Sequence, residues 1–188
     1  AKLCLPEGFE ASADESIMIG QIQIINISDI EKATDSLDKN KKEIMQIAKE
    51  LTKQLEKFGG GAKDFDYKIL NTKRGKMIIV QFYVNVCDAM GANMVNTLLE
   101  SITPTIIHHT GGKVRLRILS NLATRRLVRA KAVWKKEVIG EDAVDGVLDA
   151  YEFASNDIYR CATHNKGIMN GIDAVALGTA NDWREIEA

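Results

Sequence analysis

The chain has 188 residues, 45% of them hydrophobic and 27% charged, with a net charge of −1. That composition suits a globular protein with room for one substantial domain, or for one small domain and pieces of another. It excludes a protein charged throughout for polyanions, and the longest nearly uncharged apolar run, Met77 to Val86, is too short to span a bilayer.

Taken in chain order, Ile17 to Ile27 is rich in isoleucine and partly alternating, which predicts a strand. From Ser36 to Phe58 the apolar positions Ile44, Ile47, Ala48, Leu51, Leu55 and Phe58 recur at helical spacing, and Gly59-Gly60-Gly61 stops the run. Phe65, Tyr67 and Ile69 alternate with charged residues, Lys73-Arg74-Gly75-Lys76 reads as a hairpin turn, and Met77 to Val86 is the returning strand. A second helix is expected to start near Asp88 as N-cap, to kink at Pro104 and to close at Gly111-Gly112. Lys113 to Leu119 is the last strand of this group.

The order is β-α-β-β-α-β, the split ferredoxin-like arrangement. Beyond it, Leu127 to Trp134 suits a strand leading away, and Glu141 to Ile158 a helix with Val144, Val147, Leu148, Tyr151 and Ala154 on one face. Ile168 to Ala180 suits a buried helix, and Asp182 to Ala188 a further one. Residues 1 to 16 show no evident partner within the sequence. The expected class is α+β, with a small domain over residues 17–120 inserted between outer segments, 1–16 and 121–188, of a second domain.

Cys4, Cys87 and Cys161 are far apart and odd in number, which argues against a disulfide framework and fits a reducing cytoplasm. With His108, His109 and His164 they make no metal-ligand spacing, so no metal is expected. No charged-then-apolar leader opens the sequence, so no export signal is expected. A start at Ala1 rather than methionine fits processing or excision from a longer chain. Between Ser101 and Lys136 lie nine basic residues and no acidic one. Alternation of Lys113, Arg115 and Arg117 with Val114, Leu116 and Ile118 makes part of this run a solvated strand face. The same run suits an electropositive surface for a phosphate-bearing ligand.

Three short constellations carry chemistry. Asp88-Ala89-Met90-Gly91-Ala92-Asn93 follows a predicted strand, where small residues admit a ligand to the backbone and a helix N-terminus offers N–H groups to phosphate. Its other reading is a capped helix start. In Arg160-Cys161-Ala162-Thr163-His164-Asn165-Lys166-Gly167-Ile168-Met169-Asn170-Gly171, Lys166 is expected at a loop-to-helix junction. A lysine held there stabilises an oxyanion, supplies a proton, forms a Schiff base, or is an ordinary exposed side chain. His164 is either a catalyst or a hydrogen-bonded structural residue, and His108 and His109 are expected to cap the end of their helix. In Asn181-Asp182-Trp183-Arg184 the carboxylate of Asp182 either shares its charge with a lysine or caps a helix.

Together, and in this order, the three resemble signatures of the class II 3-hydroxy-3-methylglutaryl-coenzyme A (HMG-CoA) reductases. The resemblance extends to Met18-Ile19-Gly20-Gln21-Ile22-Gln23, Gly59-Gly60-Gly61 and Val114-Arg115-Leu116-Arg117-Ile118-Leu119-Ser120-Asn121-Leu122-Ala123, and so covers essentially the whole chain. It implies a cytoplasmic oxidoreductase that uses NAD(H) or NADP(H) to interconvert HMG-CoA with mevalonate and free CoA by two hydride transfers. It also implies a small ferredoxin-like, nucleotide-binding domain inserted in a larger α/β CoA-binding domain, here only partly represented.

By resemblance Asp88, Met90, Gly91, Asn93 and Asn121 contact the dinucleotide, and Lys166 stabilises the carbonyl oxygen as hydride arrives. Asp182 is hydrogen-bonded to that lysine and to a catalytic glutamate, while Arg160 and Asn170 lie near substrate. Gly178-Thr179-Ala180 departs from the family's usual run before Asn-Asp-Trp. Family members are longer, and the resemblance puts their catalytic glutamate upstream of Ala1 and their catalytic histidine beyond Ala188. The 188-residue chain alone is therefore expected to be inactive, and the full-length enzyme a homodimer or higher homo-oligomer, with no nucleic-acid or membrane partner. The competing reading is a non-enzymatic ferredoxin-like module that binds a ligand or RNA, for which the topology and the basic stretch speak. Phe82 and Tyr83 alone do not make the stacking signature of an RNA-recognition sheet.

Overall fold

A computed structural model describes residues 2–187, apart from the side chains of Glu185 and Glu187. A 3-10 turn at Lys2–Cys4 precedes β1 (Phe9–Ala13) and β2 (Ile17–Ile25), followed by α1 (Ile30–Lys39), α2 (Lys41–Leu51) and α3 (Lys53–Glu56). Then come β3 (Gly61–Thr72), β4 (Gly75–Asn85), α4 (Ala92–Thr110), β5 (Lys113–Ser120) and β6 (Val128–Ala132). The chain continues in α5 (Lys136–Ile139), α6 (Glu141–Asn156), α7 (Ile158–Gly178) and α8 (Trp183–Glu187). It divides into two units, residues 13–128 and residues 1–12 with 129–188.

In the first unit four antiparallel strands stand in the order β3-β4-β2-β5. Alternation sets their two faces. Ile22 and Ile24 of β2, Phe65 of β3, and Ile78, Val80, Phe82 and Val84 of β4 are all at most 2% exposed. They pack with Leu37, Ile44 and Ala48 of α1–α2 and with Val95, Leu99, Ile102 and Ile106 of α4 in one core. The helices thus lie on one face of the sheet. Gly20 of β2 makes this close approach possible, because a Cβ there would stand 2.6 Å from Val95 Cγ1.

The single helix expected over residues 36–58 is three. It begins earlier, where Asp29 accepts the Lys32 N–H at 2.9 Å, and breaks at Asn40 and Thr52. Phe58 lies beyond α3 and is 78% exposed, so its helical spacing was coincidental. Helix α4 runs through Pro104 to Gly111, its left-handed C-cap. It starts at Ala92 with Gly91 as N-cap, not at Asp88. At the break after α2, the buried Thr52 hydroxyl donates to the Ala48 carbonyl at 2.9 Å and accepts the Ala62 N–H at 2.9 Å. Thr52→Val leaves that buried N–H without its acceptor, and urea unfolding is expected to show a loss of about 1–3 kcal/mol.

In the second unit β1 pairs with β6, so the segment before residue 17 does have a partner in this chain. Five residues with every position exposed gave no periodic signal of it. Phe9 meets Trp134 edge-on at 6.0 Å, and Lys135 pairs with Glu7 at 3.3 Å. Two expected helix boundaries shift. Asp157 interrupts α6 with an extended backbone and its carboxylate accepts the Arg160 N–H at 2.7 Å, starting α7. Helix α7 then continues to Gly178, because nothing between Ile158 and that point removes an N–H and Gly167 and Gly171 only lower its propensity. Far from being a buried helix, residues 168–180 are mostly exposed, with Ala176 buried. Of the helix expected over 182–188, α8 forms most, and Ala188 lies outside the described residues.

Candidate functional site

The candidate residues divide between the units. Asp88, Met90, Gly91, Asn93 and Asn121 belong to residues 13–128, and Arg160, Lys166, Asn170 and Asp182 to the other unit.

In the first unit the sheet register gathers its group. Ile17 pairs with Asn85, Asn85 with Gly61, and Ile19 with Ser120. The end of β4 and the end of β5 therefore share one end of the sheet. The Asp88 turn leaves from the first and Asn121 from the second. Two hydrogen bonds hold them there. Asn85 Oδ1 accepts the Cys87 N–H at 2.9 Å, which starts the turn, and Cys87 itself takes a positive φ of 55°. Asn96 Oδ1, one turn into α4, accepts the Leu119 N–H at 3.0 Å, two residues before Asn121.

This turn explains why Asp88 is no N-cap. The chain spends Asp88-Ala89-Met90 reversing direction, and Gly91, buried at φ 91°, feeds α4. A Cβ at Gly91 would lie 2.6 Å from Val86 Cγ1 and 2.8 Å from Met18 Sδ. Asp88, Met90, Asn93 and Asn121 are exposed. Helix α4 has no side-chain cap and no acidic residue in its first turn. Its first N–H groups and the positive end of its dipole thus lie at the turn with no capping side chain from Gly91, an arrangement suited to an anionic group. Asn93 also lines a groove of about 600 Å³ between α2–α3 and α4, with Thr52, Met94, Thr97 and Ser101.

Sequence reasoning missed a polar row on the sheet face away from the helices. Gln21 Nε2 donates to Gln81 Oε1 at 2.8 Å, and Gln81 Nε2 to Tyr83 Oη at 3.3 Å. Tyr83 is 6% exposed and donates its hydroxyl to Asp66 Oδ2 at 2.6 Å. Burial and the Asp66 carboxylate hold the phenol above its ordinary pKa. The Arg125 guanidinium lies 4.1 Å over the Tyr83 ring. Asp64 is held below the ordinary carboxylate range: burial opposes this, but Lys41 at 2.8 Å and the Phe65 N–H outweigh it, with a smaller contribution from Arg125. Alternation hinted that Gln21, Gln81 and Tyr83 share a face, but only the register puts them in one row.

In the second unit Lys166 is not at a loop-to-helix junction. It stands within α7, exposed, and its Nζ donates to Asn170 Oδ1, one turn on, at 2.5 Å. His164 is likewise exposed on α7. Arg160 is half-buried in the first turn, its N–H on Asp157. Asp182 takes the capping role, accepting the Arg184 N–H at 3.0 Å, and also meets that guanidinium at 3.1 and 3.2 Å. The pairing pushes the Arg184 pKa up further. Among the described residues no three His, Cys, Asp or Glu side chains group as metal ligands, and no helix is long and apolar enough to cross a membrane.

A family model for hydroxymethylglutaryl-coenzyme A reductase matches residues 1–188. The chain is similar to the 3-hydroxy-3-methylglutaryl-coenzyme A reductase of Archaeoglobus fulgidus, 51% identical over 182 residues that cover 96% of this chain and 42% of the relative. A probable reductase of the same name from Borreliella burgdorferi is 32% identical, over 100% of this chain and 44% of its own length. Among solved structures, the Streptococcus pneumoniae 3-hydroxy-3-methylglutaryl-coenzyme A reductase aligns with a TM-score of 0.89 at 34% identity, over 99% of this chain and 52% of that one. A class II enzyme from the same organism, described as bound to NADPH in open conformations, aligns at 0.87 and 35% identity, over 99% of this chain and 46% of that one. The chain spans less than half the length of the curated relatives it matches.

Proposed function

Because this chain belongs to the hydroxymethylglutaryl-coenzyme A reductase family, we propose that the protein it forms part of interconverts HMG-CoA with mevalonate and CoA at the expense of NAD(P)H. The observation that carries this is the meeting of the Asp88–Asn93 turn and Asn121 at one end of the sheet, beside the uncapped start of α4. We read residues 17–120 as a small ferredoxin-like nucleotide-binding domain, supported by the strand order β3-β4-β2-β5. Residues 1–16 and 121–188 are then parts of a larger CoA-binding domain. The exposed apolar side chains of α6 and α7, among them Val147, Tyr151, Ile158 and Val175, support that, since such faces need neighbours.

The dinucleotide supplies hydride to the thioester carbonyl and then to the aldehyde carbon. In this reading Asp88, Met90, Gly91, Asn93 and Asn121 hold it, with phosphate charge at the first N–H groups of α4. Lys166 carries positive charge to the carbonyl oxygen as negative charge grows on it, and Asp182 tunes that lysine. Arg160 and Asn170 bind substrate, and Asn170 also steadies the ammonium of Lys166. A homodimer or higher homo-oligomer acting in the cytoplasm, without metal, membrane or nucleic acid, completes the proposal.

The RNA-binding alternative finds less support. Phe82 is buried towards the helices and Tyr83 lies under Arg125, so the sheet offers no pair of open aromatic platforms. The basic run falls in both units, and Arg117, Lys135 and Lys136 pair with Glu100, Glu7 and Glu141. The test mixes the full-length protein with NADH or NADPH and follows nicotinamide absorbance on adding HMG-CoA. Oxidation that depends on HMG-CoA is expected. No oxidation, together with single-stranded RNA binding that weakens steeply with salt, would replace this reading by the alternative.

A further inference from the structure

We infer that Arg125 is a positioning residue for dinucleotide binding: stacked on Tyr83, it clamps the segment carrying Asn121 against the sheet. The inference rests on the proposed role of Asn121. The segment between β5 and β6 crosses residues 121–127 with its side chains mostly exposed and none in the main core. Its hold on the unit comes from few places. At its start the Leu122 N–H donates to Ser120 Oγ at 3.2 Å. At its far end Leu127 and Asp14 bond reciprocally: the Asp14 N–H donates to the Leu127 carbonyl at 2.9 Å, and the Leu127 N–H donates to Asp14 Oδ2 at 3.2 Å. Between these, the Arg125 side chain reaches back to the strands.

The receiving surface is built for it. Tyr83 is fixed by Asp66 and Gln81, and Gln81 by Gln21, so the ring belongs to a row spanning β3, β4 and β2. Its face is covered by a guanidinium 4.1 Å away, within the range of a cation–π contact. The carboxylates of Asp66, bonded to the ring hydroxyl, and Asp64, whose ionised form Arg125 favours, add a negative field on the same face. The chain between Asn121 and Arg125 is short and braced: the Leu122 N–H on Ser120 Oγ brackets Asn121, and two turns follow, Thr124 N–H to the Leu122 carbonyl at 2.9 Å and Arg126 N–H to the Ala123 carbonyl at 3.4 Å. Over so short a braced segment, a displacement of Arg125 is expected to reach Asn121. Arg125 therefore acts on affinity without touching the reacting atoms.

The experiment measures dinucleotide dissociation constants, KM for HMG-CoA and kcat in the full-length enzyme for Arg125→Ala, Tyr83→Leu, their double mutant, Tyr83→Phe and Arg125→Lys. Arg125→Ala and Tyr83→Leu are each expected to weaken dinucleotide binding about two- to fivefold, and the double mutant no further. KM for HMG-CoA and kcat at saturating dinucleotide should stay near wild type. Tyr83→Phe keeps the ring and Arg125→Lys the cation, so both should recover much of the affinity, which a general loosening of the sheet would not do. Losses that add in the double mutant, or unchanged affinity in Arg125→Ala, would overturn the clamp. Asn121→Ala separates the two levels of inference. If it weakens binding while Arg125→Ala does not, the clamp alone fails; if neither it nor an Asp88→Ala variant weakens binding, the cofactor assignment fails.

Discussion

Replacing Lys166 by alanine in the full-length enzyme is expected to lower turnover on the order of 10²–10³-fold or more while dinucleotide affinity stays near wild type. The helix makes this a clean measurement. Lys166 is exposed on α7 and its contact is Asn170 on the same helix, so its removal opens no cavity and leaves no buried charge. Alanine is also the better helix former, and stability should change by about 0.5 kcal/mol or less. A fall in rate would then report lost stabilisation of the oxyanion rather than a damaged fold. Steady-state kinetics beside a thermal melt decides it. Near-normal turnover in a fully folded variant would remove Lys166 from the chemistry.

The second large effect is expected at Gly91. Valine there meets two separate obstacles. A branched side chain is forced to φ 91°, a region it rarely adopts, and its Cβ would stand 2.6 Å from Val86 Cγ1. The first costs on the order of 1–3 kcal/mol and overpacking a similar amount again. The neighbours are the end of the β4 segment and Met18 of β2, which cannot both give way without moving the turn. Gly91→Val is thus expected to lower the unfolding midpoint markedly and to abolish dinucleotide binding. Gly111→Ala is the control, since Gly111 also has positive φ, 64°, but open space at its Cβ position. It should show the backbone cost alone and bind dinucleotide normally. Wild-type stability and affinity in Gly91→Val would show that the turn rearranges freely and that its packing is no part of the site.

Both expectations began in the sequence and changed character in the structure. Read as residues, Gly91 admits a phosphate to the backbone; in place, its lack of a side chain first serves packing against Val86 and Met18. Likewise Lys166 was expected at a junction and stands inside a helix. The break was placed by the small and polar residues around it, yet a helix tolerates these when no proline or strong cap intervenes. The strong cap is Asp157, nine positions earlier, where the carboxylate found the Arg160 N–H.

By itself the sequence determined what is local and periodic. An isoleucine-rich, partly alternating run from Ile17 to Ile27 and an apolar run from Met77 to Val86 marked two central strands, and the Lys73-Arg74-Gly75-Lys76 turn joined β3 to β4. Residue order also carried the three constellations on which the resemblance rests, and the family itself is shown by the match over residues 1–188. Tertiary structure alone decided what depends on partners remote in sequence. The pairing of β1 with β6, the bond from Leu119 to Asn96 that draws Asn121 towards α4, and the stacking of Arg125 on Tyr83 each join segments far apart in the chain. Periodicity tells which face a residue takes; register and loop path decide which other residue it meets there.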